Sequence, residues 1–151
     1  MDKIVLVGGQ KAVADFGRDL SEILTATKAL DAADTGKVFY LNAATEFTTT
    51  LPSAAEAGLG WNCRFIVKAA PASADYVITE KASVDTDKIV VNGINELEVD
   101  TGDDGPYSAG CTNVAFKDGV AVAGDWIEIK CDGTYFYVTG QTNADGGIAV
   151  T

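Results

Sequence analysis

The fold of this chain is decided by residues 124–140, which read Gly124-Asp125-Trp126-Ile127-Glu128-Ile129-Lys130-Cys131-Asp132-Gly133-Thr134-Tyr135-Phe136-Tyr137-Val138-Thr139-Gly140. Polar and large apolar residues alternate from Trp126 to Cys131, and this two-residue period is that of a β-strand. Asp132-Gly133 is a dipeptide typical of a type I′ turn, and the aromatic and β-branched residues after it favour a second strand. We therefore predict a β-hairpin whose turn is centred on Asp132-Gly133.

Short segments with the same strand character follow one another from Thr25 to the C-terminus, separated by turns rich in Gly, Asp and Asn. They lie at residues 37–41, 47–51, 61–68, 76–79, 88–91, 96–99 and 112–116. Many short strands at close spacing are typical of all-β folds. The chain is predicted to be mainly β, with residues 25–151 forming an antiparallel β-sandwich, a jelly-roll-like fold or a small barrel.

Residues 1–24 have a different pattern, which predicts an N-terminal docking arm with a short helix. The arm begins with the apolar run at residues 4–7, and the Gly8-Gly9 that follows does not have the Gly-x-Gly-x-x-Gly spacing of a nucleotide-binding loop. Apolar residues then recur at the steps of an amphipathic helix, weakened by a glycine at position 17. Such a helix could pack on its own core or dock on a neighbouring subunit. The apolar positions are Val13, Phe16, Leu20, Ile23 and Leu24.

Composition excludes several classes of function. The chain has 11 basic and 22 acidic residues among 151, a formal charge of −11, so binding to nucleic acid or to an anionic membrane is not expected. It has no histidine, which excludes Ser-His and Cys-His catalytic arrangements and zinc sites built on histidine. Three cysteines without a Cys-x-x-Cys spacing indicate a reducing compartment, and no segment has the pattern of a secretory signal or a membrane span.

The candidate chemical sites are weak. The acidic loop of residues 100–105 has a glycine where an EF-hand needs its second ligand and Cys111 where the closing glutamate should be, so it is read as a solvated turn, with a weak calcium site as the alternative. Glu96, Glu98 and Glu128 are expected to face solvent and not to form a catalytic pair. We therefore expect a protein that is not an enzyme and that needs no metal or other cofactor.

Five aromatic residues in three of the predicted strands could line a sugar-binding surface, because planar rings stack on the apolar faces of sugars. Aromatic residues in a β-sandwich more often fill the core or a subunit interface, and we favour that interpretation. These residues are Trp61, Trp126, Tyr135, Phe136 and Tyr137.

Three motifs resemble a β-rich module that recurs in virion proteins of tailed bacteriophages. They are an Ala-Asp-x-Gly-Lys turn at residues 33–37, a Thr-Leu-Pro strand end at 50–52 and the Gly-Asp-Trp at 124–126 that opens the hairpin. The resemblance covers most of residues 25–151. Related modules occur in capsid decoration proteins, head fibres and the ends of tail fibres, but the chain has no shaft repeat or coiled coil. The resemblance therefore favours a capsid decoration, or cement, protein.

Such a protein is expected to be a homotrimer that binds the major capsid protein of the assembled head and stabilises the shell. The resemblance implies assembly in the host cytoplasm and a final location on the capsid exterior. The alternative is a receptor- or carbohydrate-binding tip module of a phage fibre. For attachment to the shell, the exposed-looking N-terminal run suggests the residues Lys3, Ile4, Val5, Leu6, Val7 and Lys11.

Overall fold

The computed structural model of the chain describes residues 3–7, 10–14, 20–43, 45–98 and 105–151, and for residues 3–14 it describes the backbone pairing alone. These residues contain β-strands, one short α-helix, α1 (Ala54–Ala57), and a 3-10 turn at Ala32–Asp34. The strands are β1 (Lys3–Val7), β2 (Gln10–Ala14), β3 (Ser21–Leu24), β4 (Lys28–Ala29), β5 (Lys37–Leu41), β6 (Thr48–Thr50), β7 (Leu59–Val67), β8 (Tyr76–Thr79), β9 (Ile89–Glu96), β10 (Ser108–Cys111), β11 (Asn113–Phe116), β12 (Trp126–Asp132), β13 (Phe136–Thr142) and β14 (Ile148–Val150).

The strands form three sheets. β1 and β2 pair only with each other as an antiparallel two-stranded sheet. A seven-stranded sheet has the order β10-β9-β13-β12-β7-β5-β3, and a five-stranded sheet has the order β14-β11-β8-β6-β4. The seven- and five-stranded sheets together form the β body of the protein.

Alternate residues of the strands in both large sheets are buried in one hydrophobic core, as the two-residue period predicts. Phe39 and Phe65 from β5 and β7 stack with their ring centroids 5.2 Å apart. Trp61 packs edge-on against Phe136 at 5.9 Å. The predicted mainly β fold with a sandwich-like core is therefore confirmed.

The two large sheets are mixed, so the prediction that they are antiparallel is wrong for part of the structure. The pairs β3–β5, β5–β7 and β9–β13 of the large sheet are parallel, and so are β4–β6 and β6–β8 of the small sheet. From β3 to β9, successive strands alternate between the two sheets. When the chain returns to a sheet, the new strand therefore runs in the same direction as the previous strand of that sheet. Two strands joined directly by a hairpin turn run antiparallel instead.

The predicted amphipathic helix between Val13 and Leu24 is wrong at both of its ends, and residues 15–19 lie outside the described residues. β2 continues to Ala14, and residues 21–24 form β3, which runs parallel to β5. The spacing of apolar residues misled the prediction because Ile23 and Leu24 do not share a face. Ile23 is 53% exposed while Leu24 is 3% exposed, as neighbouring residues of a strand are. β3 lies within the predicted segment 1–24, and its pairing with β5 attaches it to the β body.

The predicted hairpin of residues 124–140 is present as β12 and β13, but its turn differs from the prediction. Only Gly133 of the Asp132-Gly133 pair has a positive φ, at 91°, so the turn is not type I′ at these two residues. The Asp132 carboxylate instead accepts the amides of Thr134 and Tyr135, both at 2.7 Å. This side-chain capping moves the turn one residue towards the C-terminus.

The helix α1 lies between β6 and β7. Its capping box joins Ser53 and Glu56, since each side chain accepts the other residue's backbone amide. Within the described ranges, no helix is long and apolar enough to span a bilayer.

Candidate functional site

The outer face of the seven-stranded sheet carries most of the large side chains that the β body leaves outside its core. We call outer face the side of this sheet that points away from the five-stranded sheet. One row of side chains crosses five neighbouring strands of this face, because the register pairs each residue with the next. Its members are Ile23, Tyr40, Ile66, Trp126 and Gln141.

An arginine stacked on a tryptophan lies at the centre of the outer face. The Arg64 guanidinium is 4.4 Å from the centroid of the Trp126 ring and donates to the Glu128 carboxylate at 3.0 Å. Lys130 is 3.2 Å from the same carboxylate. Burial alone would raise the pKa of Glu128, but its hydrogen bonds with Lys130 and Arg64 outweigh burial and hold the pKa below its usual range. Glu128 is therefore charged at neutral pH and pairs with both cations.

A second group of exposed residues lies at the hairpin end of the same face. Leu59 is 86% exposed and is paired with Asp132 across β7 and β12. The hydroxyl of Tyr137, which is 45% exposed, donates to the Asp132 carboxylate at 3.0 Å, and this hydrogen bond raises the tyrosine's pKa. Lys88 lies 4.8 Å from the ring centroid of Tyr135. The aromatic rings are thus held in fixed positions by polar partners.

Four cations lie on this face or at its border together with the acids Glu128 and Asp132, in a chain in which acids outnumber cations two to one. Tryptophan, tyrosine and arginine are also the residues that contribute most to binding at protein interfaces. Seven strands of this length cover a footprint of roughly 600 Å², close to the ~800 Å² that one partner buries in a stable complex. The four cations are Arg64, Lys68, Lys88 and Lys130.

The outer face of the five-stranded sheet is different. A row of small side chains crosses it from β6 to β14, formed by Thr48, Val77, Ala115 and Ala149. Its strands are short, with two to four residues each. This face offers less area and smaller side chains, so the outer face of the large sheet is the better candidate for binding a partner.

The buried carboxylates hold loops in place. Glu80 accepts the amides of Asp87 at 3.0 Å and Lys88 at 2.8 Å. Asp85 accepts the amide of Ala54 at 2.9 Å. These acids satisfy backbone donors that folding takes out of water, which is a structural role.

Asp34 has a similar structural role in the 3-10 turn that precedes β5. Its carboxylate accepts the Asp31 amide and pairs with Lys37 at 2.7 Å. Burial alone would raise the pKa of Asp34, but these two partners outweigh burial and lower it. The acid is therefore held in its charged form by its partners.

The three cysteines are free and buried. Burial raises the pKa of each thiol, and the pKa of Cys63 lies well above its usual range. A thiol held in its protonated form is a poor nucleophile and a poor metal ligand. Among residues 20–43, 45–98 and 105–151, no group of three or more acidic or cysteine side chains is placed to hold a metal ion.

The structure places the sequence-predicted residues in separate regions. The predicted docking residues Lys3, Ile4, Val5, Leu6, Val7 and Lys11 lie on the β1–β2 hairpin, where Leu6 pairs with Lys11. Of the acidic loop, residues 100–104 lie outside the described residues.

The five aromatic residues also divide between core and surface. Trp61 and Phe136 are buried in the core, whereas Trp126 and Tyr137 are on the outer face and Tyr135 lies in the turn between β12 and β13. Glu128, expected to face solvent, is partly buried in its ion pairs.

Sequence reasoning missed Ile23, Tyr40 and Lys68 as members of a surface. The strand pattern places alternate residues outside the core, but it does not say which strands become neighbours. Comparison with protein-family models, with curated proteins and with solved structures found no match to this chain.

Proposed function

We propose that this chain is a structural virion protein, a capsid decoration or cement protein that binds the assembled head of a tailed bacteriophage as a homotrimer. The observation that carries the proposal is the outer face, a broad and rigid surface of aromatic and cationic side chains on a strongly acidic chain. Its role is binding and not catalysis. The site of action is the capsid exterior, after assembly in the host cytoplasm.

The mechanism is stabilisation by mass action. A protein that binds the assembled shell more tightly than its separated subunits shifts the equilibrium towards the shell. The β body suits this role because its fully packed core keeps the binding face rigid, which reduces the entropy lost on binding. The β1–β2 hairpin, with Lys3, Lys11 and residues 4–7, is the proposed second contact with the major capsid protein.

Co-sedimentation with empty heads of the phage that encodes the protein tests this function. We expect the wild-type chain to saturate the heads and Trp126→Ala to weaken binding by about tenfold or more, since truncation of a tryptophan at an interface centre costs ~2 kcal/mol. Val84→Ala is the matched control, because Val84 is 64% exposed and lies on the loop between β8 and β9, outside the strands of the outer face. Failure of the wild-type chain to bind heads would contradict the proposal.

The attachment by the hairpin is tested separately by replacing Lys3 and Lys11 together with alanine. We expect weaker binding to heads, with a smaller dependence on salt, because exposed ion pairs are screened. Unchanged affinity would remove these residues from the contact.

The exposed Tyr135 and Tyr137 favour a second candidate, a carbohydrate-binding tip of a phage fibre, since tyrosine rings at a loop end can stack on sugars. A glycan array with the wild-type chain and Tyr137→Ala separates the two functions. Sugar binding that Tyr137→Ala abolishes, without binding to heads, would favour the fibre tip.

A further inference from the structure

We propose that copies of this chain associate head to tail, with Leu97 of one copy seated in a cavity beside Ile23 and Tyr40 of the next copy. Ile23 lies on β3, an edge strand of the seven-stranded sheet. Leu97 follows β9, the second strand from the other edge, beyond the part of β9 that pairs with the edge strand β10. The contact itself follows from their chemistry, whereas a ring size of three rests on the proposed function.

The cavity lies at the β3–β5 edge of the outer face and has a volume of about 400 Å³. Ile23 supplies an apolar wall that is half exposed in the single chain. Lys68 contributes a cation that forms no ion pair with the described residues. The cavity therefore suits an apolar side chain with a carboxylate next to it. Its lining residues are Ser21, Glu22, Ile23, Tyr40 and Lys68.

Leu97 is such a side chain. It is 53% exposed and follows the last residue of β9, between Glu96 and Glu98. The backbone there is fixed, because the amide of Leu97 donates to the carbonyl of Thr142 at 3.0 Å and that of Glu98 to Asn143 at 2.9 Å. An apolar side chain on a rigid backbone loses little entropy when it binds.

The positions of the two surfaces favour contact between copies over contact within one chain. The strand order places five inter-strand spacings between β9 and β3, or about 24 Å. Both surfaces lie at the same end of the sheet. Leu97 follows the end of β9, which pairs with the end of β13, and Lys68 follows the end of β7. Copies placed side by side therefore bring one surface against the other.

The charges also favour this arrangement. Glu98 of one copy would approach Lys68 of the next, and the other acid in the cavity, Glu22, is already neutralised by Lys28 at 2.6 Å and Lys37 at 3.5 Å. A symmetric pairing of two outer faces would instead oppose their cations. A contact between two different surfaces repeats from copy to copy and closes into a ring when the rotation allows.

Disulfide cross-linking tests the contact in the full chain. A variant carrying both Ile23→Cys and Leu97→Cys should form covalent oligomers on oxidation, ending at a closed ring, while each single variant should not. The native thiols are buried, so they give little background. The matched control pairs Ile23→Cys with Val84→Cys, which is exposed on a distant loop. Absence of cross-links, or equal cross-linking in the control, would overturn the proposal.

A charge exchange tests the same contact without cysteines. By light scattering, the wild-type protein should have a mass at least twice the 15.7 kDa of one chain. Lys68→Glu or Glu98→Lys should weaken association by about tenfold, and the double variant should restore it. Thermal unfolding of each variant verifies its fold. A monomeric wild type, or no rescue, would refute the contact.

Binding to heads, measured in parallel, distinguishes this contact from the proposed function. A monomer that still binds heads contradicts the contact between copies and the homotrimer but not the binding to heads, and an oligomer that does not bind heads contradicts only the proposed function. If Ile23→Lys abolishes binding to heads and leaves the mass unchanged, the cavity receives the shell, and the inference is wrong.

Discussion

Replacing Asp125 with alanine should destabilise the β body more than any comparable loss of charge at the surface. Asp125 belongs to the Gly-Asp-Trp motif and is 4% exposed. Its carboxylate accepts the Val122 amide at 2.9 Å, the Thr142 hydroxyl at 3.0 Å and the Asn143 amide at 2.9 Å. It therefore joins the turn before β12 to the end of β13.

Alanine would leave two amides without their acceptor and would leave the Thr142 hydroxyl only the carbonyl of Ala144, at 3.3 Å. A hydrogen bond to a charged group contributes about 1.5–3 kcal/mol, and the three share one carboxylate and are not additive, so we expect a loss of about 3–5 kcal/mol. That is a large part of the ~5–15 kcal/mol that stabilises a typical domain.

Urea unfolding followed by circular dichroism measures this loss. Asp125→Asn keeps one acceptor oxygen and should lose less than alanine, and Asp145→Ala, at an exposed position, should change the free energy of unfolding by about 0.5 kcal/mol or less. A loss below about 1 kcal/mol for Asp125→Ala would refute the structural role of this carboxylate.

Three further predictions concern buried groups. Glu80→Ala should lower the free energy of unfolding by about 2–4 kcal/mol, because Glu80 accepts the amide of Lys88. It should also accelerate hydrogen exchange at that amide, and unchanged exchange would contradict the structural role of Glu80. Because burial raises the pKa of Cys63, a thiol reagent should modify it only after unfolding, and fast labelling of the native protein would show this to be wrong. The pKa of Asp34 is lowered from 3.8 in the folded state, so its charged form contributes stability above that pH and the contribution is lost as the pH falls through the folded pKa. The difference in free energy of unfolding between wild type and Asp34→Asn should therefore shrink below pH 3.8, and a difference that grows there would contradict this assignment.

The local elements of the β body could be predicted from the sequence because their signals are local. The alternation in residues 126–131 identifies β12 and its buried side, and Ser53 with Glu56 marks the single turn of α1. The segment that contains Ile23 and Leu24 is an exception. The spacing of Ile23 and Leu24 fits a helix as well as a strand, and only the pairing of β3 with β5 decides between them.

The sequence by itself therefore determined a mainly β chain, a strongly acidic composition and the positions of most strands. The tertiary structure alone decided which strands are neighbours. This pairing sets the parallel pairs, the row from Ile23 to Trp126 and the distance of five strand spacings between β9, which Leu97 follows, and β3, which carries Ile23. The physical reason is that side-chain alternation depends on the backbone of one strand. The composition of a face depends on hydrogen bonds between segments far apart in the chain, and no local pattern encodes that pairing.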